Sequence, residues 1–295
     1  MKPAPFDYVV PETAEDAVSC LQKYEDDGLE ATILAGGQSF VPLLNMRMAR
    51  PDVVVDLRKL TDLKYIREVD GMIAIGAMTT KREVEESELI QQRQPLLHAS
   101  TVEIGHLQIR SRGTVGGSMA QADPAAEYPA VALALGMEMK ILGVDGERIV
   151  PADEFFVTYL TTEIDSTEML TEVRVPVLPD GTGWSFQELT RRHGDFAIVG
   201  GAVTLRLDGG VCTNPRIVLF GVGATPVRMT AAELALEGQA PSDELFKTVG
   251  EQGAAELEEP MSDVHATSVY RRHLAKVMIK RCLLEATERA GGSVS

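Results

Sequence analysis

The sequence predicts an α/β protein of two domains, and three observations carry that prediction. The chain has 295 residues, about twice the span of a common domain. From Ala31 to Leu57 it reads strand–helix–strand with short connections, the pattern of a parallel pair. Beyond residue 177 the pattern changes. Apolar runs flank Asp208-Gly209-Gly210, and three helical stretches follow, which reads as an antiparallel sheet with helices.

Taken in order, Thr13 caps the first helix, with Asp16 three positions on. Ala14, Ala17, Val18 and Leu21 share its inner face, and Glu25-Asp26-Asp27-Gly28 ends it. Ala31 to Ala35 is a strand that runs straight into Gly36-Gly37-Gln38-Ser39. Phe40 to Met48 is a helix opening near Val41-Pro42, because proline is tolerated in a first turn. Val53 to Leu57 is the second strand of the pair. After the turn at Asp70-Gly71, Ile73 to Ala77 is a strand. Thr79 or Thr80 caps a helix running through Val84 and Leu89, and Pro95 opens another that ends near Ile104. Tyr128 to Leu135 is a buried helix. Met137 to Leu142 and Arg148 to Val150 form a hairpin across Asp145-Gly146, expected as a type I′ turn.

The turn-rich segment Pro176 to Gly183 marks a boundary. Strands Val199–Leu207 and Ile217–Val222 follow it, then helices near Met229–Leu236, Ser242–Gln252 and Ser268–Ala290. In the last helix Tyr270, Leu274, Val277, Met278 and Cys282 are expected on one face.

Composition narrows the function. Apolar residues are 44% and charged residues 24%, as in globular proteins. Lys plus Arg is 28 against 44 for Asp plus Glu, a net charge of −16. Nucleic acid and anionic lipid are therefore not expected partners. No apolar run reaches the length of a membrane span, and Met1 to Thr13 has no apolar signal core. The three cysteines, Cys20, Cys212 and Cys282, form no CxxC pair. A zinc knuckle or iron–sulfur cluster held by this chain alone is therefore not expected. Scattered thiols suit a reducing cytoplasm.

The informative features are two glycine pairs, Ala35-Gly36-Gly37-Gln38-Ser39 and Thr114-Val115-Gly116-Gly117-Ser118. Neither is a GxGxxG or GxxxxGK[ST] motif. On residues alone two readings stand for each. It is a tight turn, or it is half of a phosphate cradle in which glycines at φ > 0 present main-chain amides to an anion.

These segments also carry a resemblance. Leu34 to Ser39 followed by Pro42-Leu43-Leu44-Asn45-Met46-Arg47, and Gln108 to Ser118, resemble the FAD-binding medium subunit of molybdenum hydroxylases. That family includes the medium subunits of aerobic carbon monoxide dehydrogenase and of xanthine-type dehydrogenases. Phe6-Asp7-Tyr8, Gly76-Ala77-Met78-Thr79-Thr80, Pro151 to Phe156 and Tyr270-Arg271-Arg272 match as well, so the likeness spans nearly the whole chain.

The resemblance implies an α/β (α+β) fold: a two-part FAD-binding domain of the vanillyl-alcohol-oxidase (PCMH) type, then an antiparallel sheet with helices. The corresponding units are 1–57, 58–176 and 177–295. It implies FAD held by Ala35, Gly36, Gly37, Gln38 and Ser39 and by Thr114, Val115, Gly116, Gly117 and Ser118. Ser118 departs from the Asp or Asn usual in relatives. Ile104, Glu127 and Leu170 fall where relatives approach the cofactor. Phe196 is either an aromatic beside the isoalloxazine or a core residue of a strand. His193, next to Arg191-Arg192, is expected to be exposed. Neither glycine segment offers a His or Cys for a covalent flavin link.

The resemblance further implies a heterotrimer, paired into a dimer of heterotrimers. A small subunit would carry [2Fe-2S] clusters, a large subunit would carry molybdopterin, and this chain would pass electrons to an external acceptor. The alternatives are a self-sufficient flavin oxidase or dehydrogenase, and a module that has lost its flavin.

Overall fold

The computed structural model describes residues 1–294. Its first unit is a three-stranded parallel sheet of β1 (Asp7–Val9), β2 (Ala31–Leu34) and β3 (Val53–Asp56), in the order β1-β3-β2. Both outer strands register on Val53 to Val55, which are fully buried. Helix α1 (Ala14–Asp26) is capped as its sequence requires: Thr13 Oγ1 accepts from Asp16 N at 3.0 Å. It buries Ala17, Val18 and Leu21. Helix α2 (Phe40–Met46) leads from β2 back to β3.

The second unit is an antiparallel sheet of five strands. Ahead of the helices lie β4 (Ile66–Val69) and β5 (Met72–Gly76). Next come α3 (Lys81–Glu86), α4 (Glu88–Arg93), α5 (Pro95–Glu103), α6 (Leu107–Arg110), α7 (Val115–Gln121) and α8 (Glu127–Leu135). The hairpin β6 (Glu138–Gly143) and β7 (Gly146–Pro151) follows, then α9 (Ala152–Phe155) and the ribbon β8 (Phe156–Thr158) and β9 (Thr161–Thr162). Strand β10 (Met169–Pro176) completes the sheet at its centre, in the order β4-β5-β10-β6-β7. Its register shifts between Leu170 and Glu172 on the β6 side, a bulge of the kind that re-aims neighbouring side chains.

The third unit is a meander of β11 (Thr182–Leu189), β12 (Val199–Asp208), β13 (Val211–Phe220) and β14 (Val227–Arg228), packed on α10 (Thr230–Leu236), α11 (Asp243–Glu256) and α12 (Ser268–Arg289). Arg271 of α12 is buried and donates to the carbonyls of Ile198 and Gly221 and to Asp263. It thereby ties the loops at one end of the sheet to the helix layer.

Four details differ from the sequence reading. Strands β1, β4, β8, β9, β10, β11 and β14 and the short helices α6, α7 and α9 lie outside the sequence reading: most are short, β11 starts inside the turn-rich stretch, and β10 is placed by pairing with distant strands. The helix expected through Leu89 breaks at Ser87, which caps α4, while Thr80 and Glu83 form a reciprocal capping box on α3. The β6–β7 turn is not type I′, because neither Val144 nor Asp145 has positive φ and only Gly146 does, at 111°. On α12 the buried face is Arg271, Leu274, Ala275, Met278 and Cys282, with Tyr270 45% exposed. The pattern of apolar residues could not anticipate that an arginine would take the inner position.

Candidate functional site

The two glycine segments, far apart in sequence, touch in space. A Cβ built on Gly36 would lie 2.2 Å from the Arg112 carbonyl oxygen and 2.8 Å from Gly113 Cα. Only glycine allows that approach of one backbone to another. A Cβ on Gly117 would lie 3.8 Å from the Cβ of Ala35. Residues 77 to 81 hold the second segment in place. Lys81 N donates to Gly113 O, Val115 N to Thr79 O and Gly116 N to Ala77 O, each at 2.9 Å.

A cavity of about 330 Å³ opens at this junction. Ala35, Gly36, Gly37, Gln38 and Ser39 form one wall, and Thr114, Gly116, Gly117 and Ser118 form another. Leu170, beside the bulge of β10, closes a third side. Ten of the candidate residues are therefore brought together.

The segments differ in what they offer. Gly37 has φ +73°, and the amides of Gly37, Gln38 and Ser39 donate to no group among the described residues. These amides are available to an anion. The second segment is not the open turn that the cradle reading expects. Thr114 Oγ1 caps α7, accepting from Gly117 N at 3.1 Å, and Gly116 and Gly117 sit in the first helical turn without positive φ. The amides of Val115, Gly116, Gly117 and Ser118 all donate within the chain. Glycine is needed at 116 for space: a Cβ there would lie 2.6 Å from the Cβ of Ala77 and 2.8 Å from its carbonyl oxygen. The first segment supplies donors; the second supplies shape.

Four candidates lie off the wall. Val115 is buried in the core. Ile104 ends α5, buried, with its carbonyl accepting from Arg110 Nη1 at 3.1 Å. Glu127 opens α8 and is buried, and that burial pushes its carboxyl up to about 7. Phe196 is 61% exposed, which overturns its reading as a core strand aromatic. It borders a separate hollow with Tyr159, Arg191 and Arg192. His193 is exposed, as expected.

Lys81 is a charged wall residue that the sequence reading missed. It is 6% exposed and lines the cavity. Burial pulls its ammonium down to about 8, with the Glu127 charge working the other way. One signal was present in the sequence: a lysine at the first position of a capped helix, where the helix dipole disfavours a cation. The one carboxylate on the wall, Glu168, is bound by Arg148 at 2.7 Å, which holds it below the usual carboxylate range.

This donor set fits the diphosphate of a dinucleotide. It combines unpaired amides at a positive-φ glycine, one buried ammonium and apolar walls for the flanking groups. Among the described residues no group of His, Cys, Asp and Glu is arranged to hold a metal ion. Among the described residues no helix is long and apolar enough to cross a membrane.

Comparison with known proteins shows the family. The family described as "FAD binding domain in molybdopterin dehydrogenase" matches residues 4–178. The family described as "CO dehydrogenase flavoprotein C-terminal domain" matches residues 184–286. The chain is 42% identical over 291 residues to the 6-hydroxypseudooxynicotine dehydrogenase complex subunit alpha of Paenarthrobacter nicotinovorans, covering 98% of this chain and 97% of that one. It is 34% identical to the carbon monoxide dehydrogenase medium chain of Hydrogenophaga pseudoflava, covering 98% and 99%. A solved carbon monoxide dehydrogenase from Hydrogenophaga pseudoflava, lacking the Mo-pyranopterin moiety of its cofactor, superposes with a TM-score of 0.94 at 36% identity, again over 98% and 99% of the two chains.

Proposed function

This chain belongs to the FAD-binding medium subunits of molybdopterin dehydrogenases, and from that premise we propose that it is the electron-transfer subunit of a heterotrimeric molybdenum hydroxylase. The observation that carries the reading is the cavity at the glycine junction, with the unpaired amides of Gly37, Gln38 and Ser39 on its wall. When bound, FAD supplies the redox chemistry and the protein supplies position and electrostatics. The Gly36–Ser39 turn grips the diphosphate. The first turn of α7 sets the width of the cavity, and Leu170 keeps water from one side.

Partner subunits complete the path. By the family likeness the [2Fe-2S] clusters belong on a small subunit and molybdopterin on a large one; the three scattered, free cysteines of this chain accord with that division. Electrons arrive from those clusters and leave to an external acceptor. The assembly is a dimer of heterotrimers in the cytoplasm. The units 1–57, 58–176 and 177–295 are the working division: the first sheet ends at Asp56, the second at Pro176, and the third begins at Thr182.

Purification of the native complex tests this directly. We expect a flavin absorption band, molybdenum and iron in the purified material, and two further chains. An isolated chain whose flavin is reduced by an organic substrate without partners would establish the self-sufficient oxidase instead. A chain that stays colourless in excess FAD would establish the degenerate module.

A further inference from the structure

We propose that the Lys81 ammonium is the charge partner of the FAD diphosphate in this cavity. The inference rests on the reading of the cavity as the FAD site, and deepens it.

Lys81 is the one cationic side chain among the residues lining the cavity. It is 6% exposed. Lys59, Lys140, Lys247 and Lys280 each pair with a carboxylate within 4.0 Å; Lys81 makes no ion pair and no side-chain hydrogen bond among the described residues. The Glu127 charge favours the ammonium from beyond ion-pair distance, and Nζ stands 5.9 Å from the centroid of the Tyr128 ring, a weak contact at that distance. An ammonium withdrawn from water with no anion in direct contact is costly.

Its position at the glycine seam points to the anion it would meet. Nζ lies 3.0 Å from the point where a Gly113 Cβ would sit, and Gln38 Cγ lies 3.6 Å from the same point. Gly113 Cα in turn touches Gly36. The ammonium therefore stands at the seam between the two glycine segments, next to the turn whose amides are unpaired. A doubly charged diphosphate there would satisfy both kinds of donor at once, through charge-assisted bonds. Because burial lowers the lysine only to about 8, the side chain is still mostly protonated at neutral pH.

The test titrates FAD into the apo chain and into Lys81→Met, which keeps an unbranched stem as far as Cε and removes the ammonium. Lys81→Gln serves as a second variant, and circular dichroism checks folding of all three. We expect the variants to bind FAD about ten- to a hundredfold more weakly, the usual loss for a bond to a charged group. The visible spectrum and midpoint potential of the bound flavin should be unchanged. Affinity within twofold of wild type in folded variants would overturn the inference. So would weaker binding accompanied by a shifted flavin spectrum and potential, which would put the ammonium at the isoalloxazine. Absence of FAD binding by the wild-type chain would instead overturn the reading of the cavity, and this inference with it.

Discussion

Gly36 and Gly113 meet backbone to backbone, leaving 2.8 Å between Gly113 Cα and the place a Gly36 Cβ would occupy. The contact is between main chains, so no rotamer change relieves it. Gly36→Ala should force the seam apart, destabilising the fold by about 1–3 kcal/mol, as overpacking generally does. FAD affinity should fall with it. A thermal melt and a flavin titration on the same preparation check both effects.

Gly37 and Gly116 should separate binding from stability. A Cβ at Gly37 meets only side chains, Val41 Cγ2 at 3.0 Å and Leu34 Cδ1 at 3.2 Å, but φ is +73°. A valine there must also leave the left-handed region that a β-branched residue avoids. Gly37→Val should weaken FAD binding at least tenfold through displaced amides, with a smaller loss of stability. Gly116→Ala strikes the Ala77 backbone at 2.8 Å, so the larger effect should be on chemical denaturation. Equal losses of both kinds in the two variants would contradict this division.

Arg110 is a structural anchor. It is 8% exposed, donates to both oxygens of Glu85 at 2.9 and 3.3 Å, and also donates to the carbonyls of Val102, Ile104 and Gly105. Arg110→Met leaves three carbonyls without this donor and Glu85 with Arg82 alone, at 3.2 Å. The expected cost is about 1–3 kcal/mol, the usual penalty for leaving buried acceptors unpaired, read as a shift in the urea midpoint.

Glu188 should make stability depend on pH. Its Oε2 is buried without a partner. Burial, reinforced by the charges of Glu127 and Glu103, pushes its carboxyl up from 4.5 to about 8. The unfolded chain then ionises first as pH rises. The contribution of this group is full below about 4.5 and is lost as pH climbs through 8. Glu188→Gln should flatten the stability profile between pH 5 and 8 and raise stability at the upper end. Urea denaturation at pH 5, 6.5 and 8 gives the comparison.

Much of the fold was legible because local signals agreed. Thr13, the inner face of α1 and the run Val53 to Val55 each specify one outcome, and the parallel pair formed as expected. Where tertiary contacts decide, the sequence was silent. Glycines at 116 and 117 argue for a turn by propensity, yet Thr114 caps a helix whose first turn holds them, and the closeness of Ala77 requires glycine at 116. Lys81 reads as an ordinary surface lysine until the 77–81 segment pairs with residues 113–116 and draws it inward. Glu127 faces the same difficulty. Part of its charge environment, Lys81 of α3 and Glu103 of α5, meets it only in three dimensions; Asp123 is its local neighbour.

Strand β10 leaves the ribosome after its four sheet-mates, yet it occupies the middle of the five. A nascent chain that stops short of residue 169 holds two disconnected ribbons with bare edges at β5 and β6, the sort of edge that invites mispairing. Leu170 has not yet been made, so the cavity lacks a side. On the proposed reading, flavin loading waits for synthesis to pass this strand, whose insertion covers both bare edges.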